Sequence, residues 1–240
     1  MRGIVLAAGG GMRLRPLTDK LPKTLLPVDG DRTILELAVA NLAEVGVHDV
    51  LVVSGHAAHT IDAAAADYSR RYGLAIEVRF NERYDTANNA YSLWLTRDVW
   101  TDGALMVNGD TIHPVTVEER LIAARGHADL LLAVDDVKLL AEEEMKVALA
   151  ADGRLQRISK GLDPTEADGE YIGVNLIEPA AAADLAAALE RTFGRDPTRW
   201  YEDGFQEFVD TGGDALGVPI GTVPWVEVDD HADLARARSL

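Results

Sequence analysis

The sequence predicts an α/β fold: three layers, with helices on both faces of a mixed, mostly parallel sheet. Two observations carry that expectation. In the first half, short β-branched apolar runs alternate with amphipathic stretches of helical period, the β-α-β-α-β order that a parallel sheet with crossover helices requires. The 240 residues are 48% hydrophobic with a mean hydropathy of −0.03, enough for a sizeable core without covalent staples.

Taken in order, residues 3–8 form a buried strand that runs into a loop holding Gly9, Gly10, Gly11, Pro16, Pro22 and Pro27. Over 33–45, Ile34, Leu35, Leu37, Ala38, Leu42 and Val45 recur at helical spacing. Residues 49–54 are a short β-branched strand, 60–72 an alanine-rich helix, 74–80 an alternating strand and 89–100 a helix. Residues 104–107 return as a strand and end in Asn108-Gly109-Asp110. The second half is less regular. Strands are expected over 129–134, 146–150, 155–159 and 171–177, with a turn at Asp152-Gly153. A helix follows from Pro179 to Thr192 and a shorter one begins near Tyr201; residues 221–228 read as a strand, and a last helix starts at His231. No linker-like segment and no repeat interrupts the chain, so one domain over 1–240 is expected.

Charge and composition restrict the function. With 23 basic and 40 acidic residues the net charge is −17, which opposes broad binding to nucleic acid or to anionic membranes. No apolar run approaches the roughly 20 residues of a membrane span, and the opening run is too short for a signal peptide, so cytoplasm is the expected compartment. The absence of cysteine excludes disulfides, thiolate metal sites and a cysteine nucleophile. A small polyanion at a local basic site is still allowed, because exposed charges are screened beyond about 8–10 Å. Arg13, Arg15, Lys20 and Lys23 fall in one short segment whose only acid is Asp19.

That segment follows a run of small residues, Ala7, Ala8, Gly9, Gly10 and Gly11, which lets backbone N–H groups approach phosphate oxygens. It is neither a Walker A loop nor a dinucleotide turn, since Leu14 stands where the third glycine of the latter belongs. The whole stretch, Leu6-Ala-Ala-Gly-Gly-Gly-Met-Arg13-Leu-Arg-Pro-Leu-Thr18 with Pro22-Lys23-Thr-Leu-Leu-Pro-Val28, resembles the signature of nucleotidyltransferases that activate phosphorylated metabolites. The resemblance implies an enzyme of the Rossmann-like, nucleotide-diphospho-sugar transferase type. In such an enzyme residues 1–112 form the nucleotide-binding half and 113–240 the acceptor-binding half. It implies that Leu6, Ala7, Ala8, Gly9, Gly10 and Gly11 bind nucleotide. Arg13 holds the β- and γ-phosphates, and Lys23 bridges the α-phosphate and the incoming phosphate. Asp110, at a strand end, matches the family's Mg²⁺ ligand; Trp225-Val-Glu-Val-Asp-Asp230 resembles its late Glu-x-Asp strand, making Asp229 the second ligand with Glu227 beside it. The competing reading of Asp229-Asp230 is a cap on the last helix.

Residues 81–93 lack the Gly-Thr-Ala or Gly-Leu-Ala turn of sugar-phosphate enzymes and resemble instead bacterial phosphocholine and phosphonate cytidylyltransferases, with Asn88, Asn89 and Ser92 facing the base. Amides can pair a cytosine edge, so CTP is the expected nucleotide; the alternative for Asn88 is a helix cap. On the acceptor side Lys160 matches a family lysine, Lys146 offers another cation, and Glu170 lies in a block shared by these enzymes. Asp135, Asp136, Glu142, Glu143 and Asp203, with Trp200 and Tyr201, are candidates for a cationic head group, although Glu142 to Glu144 read better as a solvated turn. The expected partners are therefore CTP and a phosphorylated or phosphonate acceptor, with no nucleic acid or membrane and with a homodimer left open. A sugar-1-phosphate nucleotidylyltransferase and a non-catalytic nucleotide sensor are the alternatives.

Overall fold

The computed structural model describes residues 1–240. β1 (Arg2–Ala7) leads into a loop with two single-turn 3₁₀ segments, Met12–Leu14 and Lys23–Leu25, and a hairpin of β2 (Pro27–Asp29) and β3 (Arg32–Thr33). α1 (Ile34–Glu44) begins where the Thr33 hydroxyl accepts the Glu36 N–H. β4 (Asp49–Ser54), α2 (Ala58–Tyr72) and β5 (Ala75–Phe80) complete the expected alternation. The helix expected over 89–100 is shorter. α3 (Asn89–Trp94) gives way to a 3₁₀ stretch, Arg97–Asp102, at Thr96, whose hydroxyl donates to the Leu93 carbonyl and accepts the Trp100 indole N–H.

β6 (Ala104–Asn108) and β7 (Thr111–Ile112) are followed by α4 (Thr116–Ala123), β8 (Leu130–Asp135), β9 (Lys146–Leu149), β10 (Leu155–Ser159) and β11 (Gly169–Ile177). Then come α5 (Ala182–Arg195), α6 (Tyr201–Asp210), β12 (Ala215–Pro219), β13 (Val226–Glu227) and α7 (His231–Ala237). α4 and β12 were not expected. The strand expected over 221–228 shrinks to the two residues of β13, because Gly221 at φ +68° and Pro224 break the extended ladder.

The main sheet runs β10-β9-β11-β6-β1-β4-β5. β1 is parallel to β4 and β6, with Gly3 opposite Val50 and Leu105, and β4 is parallel to β5. β11 then runs antiparallel to β6, β8 and β9, while β12 lies parallel to β8, so the sheet is mixed: β1, β4, β5 and β6 of the first half are parallel, and the second half adds one further parallel pair. β11 is bulged between Tyr171 and Asn175, and Gly173 sits there at φ +79°. A Cβ at Gly173 would come within 2.5 Å of the Asn108 amide.

Alternation along the strands divides the interior between two faces. Ile4, Leu51, Met106 and Leu132 pack under α5 and α6 with Leu185, Leu189 and Phe205. Val5, Val52, Val107 and Leu131 pack under α1 and α4 with Leu35, Val39, Leu42, Val117 and Leu121. A third, smaller core joins Leu14, Leu26, Val28 and Ile34 to Val226, Val228 and Leu234, pinning the glycine-rich loop to the late ribbon and α7. No helix is long and apolar enough to cross a membrane.

Candidate active site

The C-terminal ends of β1 and β6 diverge into a cleft, the place where open α/β sheets put their ligands. Gly109 follows β6 with its N–H donated to the Leu6 carbonyl at 2.9 Å, and a Cβ there would sit 2.5 Å from that same oxygen. Across from it, Gly9 and Gly10 have nothing within 4 Å of where a side chain would stand, so the turn presents bare backbone to open space. Thr18 Oγ1 donates to the Gly11 carbonyl at 2.8 Å and ties the loop back on itself.

Short-range pairing assembles the carboxylates. β13 runs antiparallel to β7 with Glu227 opposite Thr111, and the Val228 N–H donates to the Asp110 carbonyl at 2.9 Å. Oxygens of Asp110, Glu227 and Asp229 consequently lie within 4.8 Å of one another. Lys23 Nζ stands between two of them, 2.8 Å from Asp110 Oδ2 and 2.9 Å from Asp229 Oδ1, and Arg13 Nη2 reaches Asp229 Oδ2 at 2.6 Å. The helix-cap alternative for this pair is settled residue by residue. Asp230 caps α7, its carboxylate accepting the N–H groups of Ala232 and Asp233, while Asp229 turns to the cations.

The electrostatics follow from this crowding. Burial pushes the Lys23 ammonium down, but Asp110 and Asp229 more than reverse it, and its pKa ends above the ordinary lysine value. Burial pushes Asp229 up, yet Lys23 and Arg13 hold its carboxyl below the usual range. Glu227, open to the cleft but set in poorly solvated surroundings, is pushed up to about 8 by burial and then by repulsion from Asp110 and Asp229. Asp110 Oδ1 is buried with no hydrogen-bond partner. The three carboxylates, one oxygen of which has no partner in the protein, offer an oxygen-only donor set that fits a divalent cation.

A cavity of about 350 Å³ opens over this cluster. Leu6, Ala8, Gly9, Arg13, Asp110, Glu227 and Asp229 line it, as do Asn88, Asn89 and Ser92, together with Tyr84, Glu143, Lys160, Tyr171, Trp200 and Glu202. Ala7 ends β1 and Gly10 and Gly11 belong to the turn, none of the three lining the cavity itself. Asn88, Asn89 and Ser92 are partly committed to structure. Asn88 caps α3, accepting the Asn89 N–H and donating to the Thr198 carbonyl; Asn89 Oδ1 accepts the Tyr201 N–H; Ser92 Oγ accepts from Asn81 Nδ2. The Asn89 amide N–H₂ is left facing the cleft.

Of the residues expected on the acceptor side, Lys146 is internal and Glu170 lines an adjoining cavity. Lys146 is fully buried and donates to the carbonyls of Ala141, Glu142 and Glu144 at 3.1, 2.7 and 3.2 Å. All three of its protons are used inside the protein, so it fastens the loop that presents Glu143 and Met145 to the cavity rather than meeting a ligand. Glu170 lines a cavity that adjoins the first and shares Arg13, Glu143, Lys160, Glu227 and Asp229 with it; it lies 2.6 Å from Lys138, and burial pushes its carboxyl up to about 7. Sequence reasoning missed Glu202 and Asn108. Glu202 reads as an ordinary acidic first-turn residue of an amphipathic helix, and nothing in its neighbours signals that this turn faces inward.

The strand-end cleft thus brings together a bare glycine turn, two fixed cations and a cluster of three carboxylates. The model of the Nucleotidyl transferase family matches residues 2–141, more than half the chain, and the protein belongs to that family. It is 31% identical over 246 residues to the CMP-5'-(3-aminopropyl)phosphonate synthase of Streptomyces rubellomurinus, covering 99% of this chain and 38% of that protein. It is 28% identical over 245 residues to the glucose-1-phosphate thymidylyltransferase of Streptomyces griseus, covering 100% of this chain and 66% of the relative. The chain thus spans about two fifths and about two thirds of these relatives. Among solved structures, the inositol-1-phosphate CTP transferase from T. maritima superposes with a TM-score of 0.83 at 23% identity, over 99% of this chain and 94% of that one, which shows the shared fold.

Proposed function

We propose that the protein transfers CMP from CTP to a phosphate or phosphonate oxygen of a small metabolite and releases pyrophosphate. The observation that carries this reading is Lys23, held between Asp110 and Asp229 with Arg13 alongside, at the open end of the glycine turn. Two polyanions must meet for this reaction, and negative charge grows on the departing pyrophosphate; fixed cations and backbone donors answer both demands.

In this reading residues 1–112 bind the nucleotide and 113–240 the acceptor. Asp110, Asp229 and Glu227 hold a divalent cation, Mg²⁺ by their oxygen-only donor set, which when bound neutralises phosphate charge. Arg13 binds the β- and γ-phosphates, and Lys23 exchanges a carboxylate partner for the α-phosphate and the incoming oxygen. That oxygen attacks the α-phosphorus, the bond from it to the bridging oxygen breaks, and pyrophosphate leaves with the electron pair. The attacking oxygen is already anionic, so no nucleophilic side chain and no general base is required.

Cytosine is supported by the amide N–H₂ of Asn89 and the hydroxyl of Ser92 on the cavity wall, and by the CMP product named for the S. rubellomurinus relative. A sugar-1-phosphate acceptor with another nucleotide is the second reading, supported by the thymidylyltransferase relative that matches the whole chain. Pyrophosphate release from each of the four nucleotides against phosphorylated alcohols, phosphonates and sugar-1-phosphates tests the choice. CTP should exceed UTP more than tenfold in kcat/KM, because each buried group left unpaired by the wrong base costs about 1–3 kcal/mol. A fastest pair of dTTP or UTP with a sugar-1-phosphate would give the second reading.

A further inference from the structure

We propose that the part of the cavity lined by Glu202 is a subsite for a primary ammonium group on the acceptor; the proposal rests on the transfer reading for its assignment to the acceptor. Glu202 lies in the first turn of α6, is only 7% exposed and lines the cavity, and its Oε2 is buried without a hydrogen-bond partner. The hydroxyls around it are paired with one another and with amide oxygens, while the Asn175 amide nitrogen is buried without a partner. The Tyr201 hydroxyl meets Asn108 Oδ1 at 3.0 Å and the Tyr171 hydroxyl at 3.2 Å, and the Tyr171 hydroxyl donates to Asn175 Oδ1 at 2.8 Å. An acceptor oxygen left bare in such surroundings is costly, and a ligand N–H aimed at it removes the cost.

The charges of the cavity are arranged for a zwitterion. Glu143, on the loop fastened by Lys146, brings a second carboxylate to the same cavity. Lys160 holds its ammonium 5.2 Å from the Trp200 ring rather than on a carboxylate, which leaves it available to the acceptor's phosphate or phosphonate. Burial pushes the Glu202 carboxyl up to about 7, so a ligand cation is what draws it fully into the ionised form. A quaternary ammonium brings charge but no N–H for Oε2, and the exposed aromatic side chains of the cavity are Tyr84 and Trp200. A hydroxyl brings a proton but adds no charge to the partial compensation that Lys160 gives the carboxylate.

The test is calorimetric titration of the protein, in chelator with and without CTP, with ethylphosphonate, 2-hydroxyethylphosphonate, 2-aminoethylphosphonate and the N,N,N-trimethylated form of the last. The amine should bind at least tenfold more tightly than the other three, and Glu202→Gln should bring it down to the level of ethylphosphonate. Equal binding of the hydroxyl or trimethylated compound, no measurable binding of any of them, or an advantage for the amine that persists in Glu202→Gln overturns the subsite. Should the variant not fold, the comparison among the four ligands on the wild-type protein decides alone. Pyrophosphate release measured in parallel separates the two claims: an amine preference in binding with no release from CTP leaves the subsite standing and removes the transfer reading.

Discussion

Lys23 makes two ion pairs at under 3 Å with carboxylates that repel one another, and Arg13 completes the neutralisation from the solvent side. In the proposed transfer, removing either cation takes away one preorganised stabiliser of phosphate charge. Lys23→Ala and Arg13→Ala should each lower turnover roughly 10²–10³-fold with the circular dichroism spectrum unchanged, and near-wild-type turnover at saturating substrates would free that residue of its role. Lys146 makes the opposite kind of prediction. Lys146→Met strips three carbonyls of their donor and should cost roughly 1–3 kcal/mol in denaturant unfolding. It should also raise acceptor KM through the slackened loop while CTP affinity, read calorimetrically, stays as it was. These residues also mark what could be read from the sequence. Arg13, Lys23, Asp110 and Asp229 sit in motif positions whose spacing is tied to their geometry, and they converge in space. Lys146 and Glu202 follow ordinary strand and helix patterns, where a charged residue normally means a solvated face, and only the fold reveals that both are buried.

Between the residues and the whole stand the loop and ribbon that position them. The 3₁₀ turn carrying Arg13 is anchored by Leu14, fully buried against Val226, Val228 and Leu234, so the same contacts that seat the cation also seat the strand leading to Asp229. Leu14→Ala should therefore cost about 2–5 kcal/mol of stability and lower kcat together with it, in denaturant unfolding and steady-state kinetics. A stability loss with kcat intact would show that the site does not depend on this core. The elements themselves were legible where periodicity was strong: β4 and β10 fall where their β-branched and alternating runs place them, and α1 and α2 within a residue or two. They were illegible where pattern is short. β12 carries Gly217 and ends at Pro219, which reads as loop, and it holds its place by pairing parallel to β8. α4 is eight residues whose buried Val117 and Leu121 make too brief a stripe to count as periodic.

Across the whole molecule the net charge of −17 sets a repulsion that a few buried acids amplify. Burial pushes Glu170 and Glu202 up to about 7, so between the ordinary glutamate range and pH 7 the folded chain binds protons that the unfolded chain has released. Stability from these groups falls as pH rises through that window. His113 acts in the same direction. Burial pushes it down, but the charge and hydrogen bond of Glu118 outweigh this and raise it, so its contribution is lost as pH rises above its ordinary value. The carboxyls held low, such as Asp229 and Glu178, matter only at more acidic pH. The melting temperature should accordingly be higher near pH 6 than near pH 8, at roughly 2–4 °C per kcal/mol for a chain of this size. A flat or rising profile would contradict the assignment, and Glu170→Gln should reduce the slope. The three-layer architecture was legible because alternation of strand and helix constrains topology strongly. The antiparallel half was not, since β11 reaches β6, β8 and β9 through a bulge at Gly173 that no local pattern announces. The measurement that bears most directly on the account is phosphorus NMR of the protein with CTP, Mg²⁺ and 2-aminoethylphosphonate. The account predicts a new phosphonate–α-phosphorus anhydride growing in step with equimolar pyrophosphate, whereas unreacted CTP, or CDP with orthophosphate, would contradict it.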